Sequence, residues 1–422
     1  MSDDEKMTIE ERRKYLRKMK RRYEEGTKKE RGKLLDEMEV VTGQHRKGLI
    51  RLMKGSLARK RRMKQRGKSY GPEVDDALRV IAESVNYLCA ERLTPNLVWL
   101  AQHLDSHGEL EATPELLHAL GRISVSTVRR RLEHISQDQP RLPRKGPARA
   151  NQARRQVPMK RIAWDEEEPG HFETDLVHHC GASASGEYVH TLQMIDVATG
   201  WSERVAMLGR SYHVMEAGFK RCLARISFPV HEIHPDNGSE FLNNQMVRFF
   251  GDTLPDMELS CSRPYHKNDN RNVEQKNSTQ VRAFLGYDRL DTVEQTQVLN
   301  VLYDKMWLYY NFFQPVMHMT DKIVTPIEGH HPKVKRTYDL AKTPFDRLCP
   351  TQAISDADRH TLQQLRAKTN PRHLRQEIYI LIDYIFTLPS AVPGVTEDVY
   401  ETYRIPLTLP KGVDIPVTLS LD

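Results

Sequence analysis

Residues 171–179 read HFETDLVHH, a run rich in β-favouring side chains with the carboxylate of Asp175 at its centre. A charge inside a strand is costly unless a partner or a cation meets it, so the run predicts both a sheet and a site. A glycine-bearing turn (Gly181 to Gly186) leads to EYVHTLQMID (187–196). Val197-Ala198-Thr199-Gly200 leads on to WSERVAML (201–208), which gives three antiparallel strands in a meander. Met215, Phe219, Cys222, Leu223 and Ile226 then recur at helical spacing. The short strand VHEIHPDNG (230–238) follows, then a helix over 239–250, the strand MELSCS, and a helix starting near Asn270. The order β-β-β-α-β-α-β-α predicts a mixed α/β domain built on a five-stranded sheet with helices.

The flanks read differently. Residues 1–66 predict all-α structure of helix-turn-helix type, opened by the capping box Thr8-Ile9-Glu10-Glu11. The basic third segment carries His45, Arg46, Lys47 and Arg51, which in a helix-turn-helix would face DNA. Residues 67–137 form a second helical, helix-turn-helix-like unit whose last helix holds Arg129, Arg130 and Arg131. Residues 138–167 read as a basic, proline-containing linker able to lie along phosphates. The α/β core is placed at 168–335, and 336–422 reads as a helical extension and tail.

Charge divides along the same lines. To residue 163 the chain holds 38 Lys and Arg against 22 Asp and Glu; from there on it holds 26 against 35. A basic front and an acidic back suggest a polyanion-binding region joined to something else. The 38% apolar content excludes a wholly disordered chain. No run of eighteen uncharged apolar residues is present, so no membrane partner is expected. The first twenty residues lack the apolar stretch of a secretory signal, and five scattered cysteines without a C-x-x-C pair fit a reducing compartment. The reading is therefore cytoplasmic.

Three carboxylates belong together. Asp175 is mid-strand, Asp236 ends a strand in His234-Pro235-Asp236-Asn237-Gly238, and Glu274 lies in a helix within Asn272-Val273-Glu274-Gln275. If the first and fourth strands are neighbours the two aspartates converge, and the helix after the fifth strand lays Glu274 over them. Hard carboxylate oxygens suit Mg²⁺ or Mn²⁺ rather than zinc. Two such ions would serve an in-line phosphoryl displacement. On the Glu274 face, Arg271 and Asn277 stand three positions away and are candidates for positioning substrate, as is Asn237. His178, His179 and Cys180 have metal-ligand chemistry but no fourth ligand at sensible spacing, and read as a packed strand end.

The segments HPDNGSEF and SRPYHKNDNRNVEQKN, with FETDLVHHCG, DVATGWSE and NFFQP (311–315), resemble the core of DDE transposases and retroviral-type integrases, with the nearest look that of bacterial insertion-sequence transposases. The resemblance runs from about residue 164 to 348. It implies a ribonuclease-H-like catalytic core in which Asp175, Asp236 and Glu274 hold two Mg²⁺ or Mn²⁺ ions. It also implies a nucleoid-associated bacterial enzyme that cleaves double-stranded DNA at mobile-element ends and joins the 3′-hydroxyl to target DNA, working as a homodimer or homotetramer. The resemblance departs in two places: there is no H…H…C-x-x-C zinc module, and Asn277 and Ser278 stand where the family has lysines. Two other functions fit the same fold, a metal-dependent nuclease that cuts without joining and a domesticated DNA-binding protein without catalysis.

Overall fold

The computed structural model describes residues 7–57, 70–135, 162, 166–236, 238, 240–263, 269–327 and 330–404. Most of the basic linker, the last eighteen residues and Asn237 lie outside that set. The chain divides into two compact units, residues 1–69 and 70–422.

Among the described residues the first unit has three helices, α1 (Ile9–Glu25), α2 (Lys28–Thr42) and α3 (Arg46–Lys54). The capping box at Thr8 forms as its spacing predicts, and a second forms at Thr27, where Glu30 returns the bond. Gly43, with φ of 66°, ends α2 in a left-handed turn that a Cβ would strain. Leu16 and Met19 of α1, Leu34, Leu35 and Met38 of α2, and Leu49 and Met53 of α3 close one small core.

The second unit opens with α4 (Pro72–Ser84), α5 (Ala90–Leu93), α6 (Leu97–Ser106), α7 (Pro114–Arg122) and α8 (Val125–Leu132). Leu78, Ile81, Leu93, Leu97, Leu100 and Val128 are fully buried among them. The sheet follows: β1 (His171–His178), β2 (Val189–Asp196), β3 (Ser202–Leu208), α9 (Tyr212–Leu223), β4 (Glu232–Pro235), α10 (Asn244–Thr253) and β5 (Glu258–Leu259). Its order is β3-β2-β1-β4-β5. The β1–β2 and β2–β3 pairs are antiparallel, and β4 runs parallel to both β1 and β5. This is the mixed sheet that the order of elements predicts, in the ribonuclease-H-like arrangement that the resemblance implies, with β1 central and its neighbour β4 reached by a crossover through α9.

Helix α11 (Arg271–Lys276) continues into a π-helical turn over Asn277–Arg282 and the short α12 (Ala283–Leu285). Then α13 (Val293–Phe313) runs through the interior, buried along nearly its whole length. Trp307 and Phe312 on α13 pack edge-on to Trp201 with ring centres 5.5 and 5.9 Å away. Beneath them the buried Glu203 accepts from Trp201 Nε1 (2.9 Å) and Trp307 Nε1 (2.6 Å) and pairs with Arg225 (2.9 Å). A buried carboxylate so fully partnered fixes α13 and the loop after α9 against the sheet.

The chain then forms an antiparallel ribbon, β6 (Met319–Ile327) with β7 (His330–Tyr338), separate from the main sheet. The sequence reading has no strands there, because Pro326 and Pro332 interrupt any alternating pattern. Four helices close the described chain, α14 (Pro344–Leu348), α15 (Asp356–Lys368), α16 (Pro371–Thr387) and α17 (Glu401–Arg404). The helices α4–α8 are tied to this body by polar contacts. Tyr309 Oη donates to Ser84 O (2.9 Å), Gln314 Nε2 to Val85 O (3.0 Å), and Arg372 bridges Glu83 and Glu109. Among the described residues no helix is long and apolar enough to cross a membrane. All five cysteines are free thiols.

Candidate active site

The sheet register brings Asp175 and Asp236 together. The last pair joining β1 to β4 is Thr174 with Pro235, so the two aspartates are the next residues along adjacent parallel strands. Asp236 stands where β4 ends, and its Oδ1 accepts from the Gly238 amide at 2.9 Å, making the turn that HPDNG predicts. Asp175 Oδ1 accepts from the Leu176 amide (2.8 Å), and its Oδ2 from Asn277 Nδ2 (2.6 Å). Burial holds the Asp175 carboxyl well above the usual carboxylate range, and the charges of Asp236 and then Glu274 push the same way. The Leu176 and Asn277 donors oppose that rise.

Glu274 arrives on α11, and the helix is held by a residue that sequence reading passes over. Glu173, two positions before Asp175 and on the same face of β1, is buried. It accepts from the Asn272 amide (2.6 Å), Asn272 Nδ2 (2.8 Å) and the Val273 amide (3.0 Å). Those amides belong to the first turn of α11, whose open N–H groups need acceptors. The Asn270 side chain makes no capping bond, so Glu173 serves the helix end from across the sheet. Burial pushes its carboxyl up to about 7, against the pull of these donors. The HFETD spacing contains the clue, since a second carboxylate on the Asp175 face needs a partner, but nothing local names α11 as that partner.

One turn past Glu274, the π-helical stretch carries Asn277 inward to Asp175. Such π turns are frequent at functional sites because they re-aim one side chain without breaking the helix. Arg271, a turn before Glu274, is half-buried and its charge acts on Glu173. Lys276 faces away from Glu274 and is lowered to about 7, by burial first and then by Arg92 and Arg204. It lines a cavity of about 670 Å³ between α11, α16 and the root of the ribbon, with Arg92, Tyr310 and His318 also in its wall. None of Asp175, Asp236 and Glu274 is in its wall.

The donor set fits a hard divalent cation. Two adjacent aspartates on neighbouring strand ends, with Glu274 acting on them, make a negative charge cluster that a cation would relieve. Among the described residues no three His, Cys, Asp or Glu side chains are already gathered at one metal position. The fit therefore rests on the aspartate pair, with Glu274 exposed on its helix beside them. His178, His179 and Cys180 build no metal site. His179 is buried with Nε2 2.8 Å from Thr191 Oγ1, and His178 stands edge-on to His190, ring centres 4.8 Å apart.

The basic residues expected at DNA fall into two groups. His45, Lys47 and Arg51 are exposed on or beside α3, whereas Arg46 pairs with Asp36 of α2. In α8, Arg129 pairs with Glu91 and Arg131 with Asp75, so both hold the helical unit together. Among the described residues Arg130 bonds only Ser126 and Thr127 of its own helix, and its side chain is exposed.

Residues 165–267 match the integrase core domain family. The chain is 35% identical over 317 residues to an uncharacterized protein, y4rM, of Sinorhizobium fredii, a match covering 74% of this chain and 90% of that one. Among solved structures it is similar to the catalytic core domain of BIV integrase, at 14% identity and a TM-score of 0.21. That match covers 26% of this chain and 64% of the BIV chain, just under two thirds of its length.

Proposed function

The chain belongs to the integrase and transposase catalytic-core family, and we propose that it is a DNA transposase whose Asp175, Asp236 and Glu274 carry the chemistry. The single observation that supports this most is the strand register that sets Asp175 beside Asp236 at the ends of β1 and β4. Asp175, Asp236 and Glu274 would hold the divalent cations, which in such sites activate the attacking oxygen and stabilise the leaving one. The chain's own groups do the positioning. Asn277 fixes one oxygen of Asp175, the Leu176 amide fixes the other, and Glu173 sets the helix that presents Glu274. In this reading water cuts the element end, and the freed 3′-hydroxyl then attacks target DNA directly, without a covalent protein–DNA intermediate. Residues 1–66 recognise the element end, and because each end brings its own 3′-hydroxyl, at least two protomers act together.

A nuclease on this fold would cut but not join. A strand-transfer assay with a pre-cleaved end separates the two: a transposase yields joined product with Mg²⁺ or Mn²⁺, and only hydrolysed ends would overturn the assignment.

A further inference from the structure

The ribbon β6–β7 stands apart from the main sheet and, past Met319, is exposed where its side chains are described. Two strands alone are marginal in water, so what holds this pair and what it meets are separate questions. The root is clamped. Asp339 accepts from the His318 amide (2.7 Å) and from Arg347 (2.7 and 3.1 Å), while Val316 and Lys342 exchange backbone bonds (2.8 and 3.1 Å). Beyond that root the blade carries cations. Lys322 lies directly opposite Arg336, and Ile323 opposite Lys335.

Like charges directly opposed across a ladder destabilise it. None of Lys322, Lys335 and Arg336 has an ion-pair partner among the described residues. Residues 319–338 hold four Lys and Arg against two Asp and Glu, inside a half of the chain that is otherwise acidic. The strand order on β7 puts Arg336 on one face with Val334, which is 38% exposed, and Lys335 on the other face near Ile323, 49% exposed. The root adjoins the helix of Glu274, since His318 and Tyr338 line the same cavity as Asn272, Gln275 and Lys276.

We propose that this ribbon is a DNA-binding element that enters the major groove of the duplex held at the active site, with Lys322, Lys335 and Arg336 on the flanking phosphates. The dimensions agree. Nine-residue strands span about 30 Å at about 3.4 Å per residue, and a two-stranded ribbon fits a groove about 12 Å wide. Charge complementarity selects DNA over a second copy of the chain, because edge-to-edge pairing of two such ribbons would set cation against cation. Only one face of a ribbon can turn to the bases, and on the face of Lys322 and Arg336 the exposed Val334 would meet base edges, where thymine methyls offer apolar contact. The inference rests on the DNA-acting reading above, but its test reads binding rather than catalysis.

The test uses the full chain in EDTA, where nothing is cut, with the triple variant Lys322→Ala, Lys335→Ala, Arg336→Ala. Duplex affinity is measured across salt concentrations, together with dimethyl sulfate protection of guanine N7 in the major groove. Each lost phosphate contact removes roughly 0.9 from the slope of log affinity against log salt. The triple variant is expected to flatten the slope by about 2 to 3, to bind at least roughly tenfold more weakly near physiological salt, and to lose N7 protection over part of the site. A charge-keeping variant, Lys322→Arg with Lys335→Arg, restores the slope. An unchanged slope would overturn the proposal. So would a changed slope with N7 protection intact, which would leave phosphate contact without groove entry, or a loss of self-association with DNA affinity unaltered.

Discussion

The carboxylate of Glu173 accepts both the amide and the side-chain Nδ2 of Asn272, at 2.6 and 2.8 Å, joining the strand of Asp175 to the helix of Glu274 across a gap of about a hundred residues in sequence. Removing it leaves the Asn272 and Val273 amides without an acceptor, a cost of about 1–3 kcal/mol in a buried site. Glu173→Ala is expected to lower stability by that amount in urea melts and to lose most joining activity. Glu173→Gln keeps one acceptor oxygen and is expected to recover part of both. A Glu173→Ala protein that joins DNA at the wild-type rate would show that α11 is positioned by other contacts.

The two sets of basic residues should separate experimentally. Lys47→Ala and Arg51→Ala, both exposed, are expected to weaken element-end binding by roughly tenfold or less with little change in stability. Arg46→Ala breaks the pair with Asp36 and should change melting as well as binding. Gel-shift titrations beside thermal melts distinguish these outcomes, and equal binding by all three variants would place recognition elsewhere.

The same contrast holds in α8. Arg131→Ala removes a half-buried ion pair with Asp75 and a contact with Tyr70 O at 3.2 Å, so it is expected to destabilise the helices α4–α8 by about 1–2 kcal/mol. Arg130→Ala is expected to leave stability unchanged and to alter only DNA affinity. Calorimetric melting of the two variants gives the comparison directly.

His190 supplies a pH dependence. Its ring is buried, stacked on Tyr188 with ring centres 4.5 Å apart, and pushed down to about 3 by burial and then by the charges of His178 and Arg210. Above its ordinary value of 6.5 the ring is neutral folded or unfolded, and nothing is lost. Below it the unfolded chain takes a proton that the folded chain refuses, so stability falls as pH drops through about 6.5 toward 3. By about pH 5 the loss is about 2 kcal/mol. His190→Phe should remove that share, seen as a smaller difference between urea melts at about pH 7.5 and about pH 5. An equal difference in both proteins would mean that His190 is already hydrated in the fold.

The main sheet is legible because its strands carry local signals. Asp196-Val197-Ala198-Thr199-Gly200 reads as a hairpin, and Asp196 indeed accepts from Thr199 and Gly170 to close it. Asp236 reads as a turn residue and makes that turn. Its second role depends on β1 lying alongside, which the resemblance implies and the pairing displays. Glu173 shows its place on the Asp175 face in the spacing but not its partners, which are chiefly backbone amides of α11, and an amide leaves no mark in a sequence. The α8 arginines look alike in sequence, and only the positions of Glu91 and Asp75 on α5 and α4 set Arg130 apart from its neighbours. The ribbon escapes because its prolines fall where a strand is least expected.

In the proposed function the carboxylates of Asp175, Asp236 and Glu274 act as one metal-dependent site. The direct measurement is single-turnover cleavage and joining of an element-end duplex by Asp175→Asn, Asp236→Asn and Glu274→Gln proteins, each at saturating Mg²⁺ or Mn²⁺, with DNA affinity measured alongside. Each substitution removes a ligand charge with little change in shape. All three are expected to bind the duplex like wild type and to lose cleavage and joining by at least about a thousandfold, roughly 4 kcal/mol in the barrier. Near wild-type cleavage by any one of them, with binding intact, would remove that residue from the site and contradict the triad.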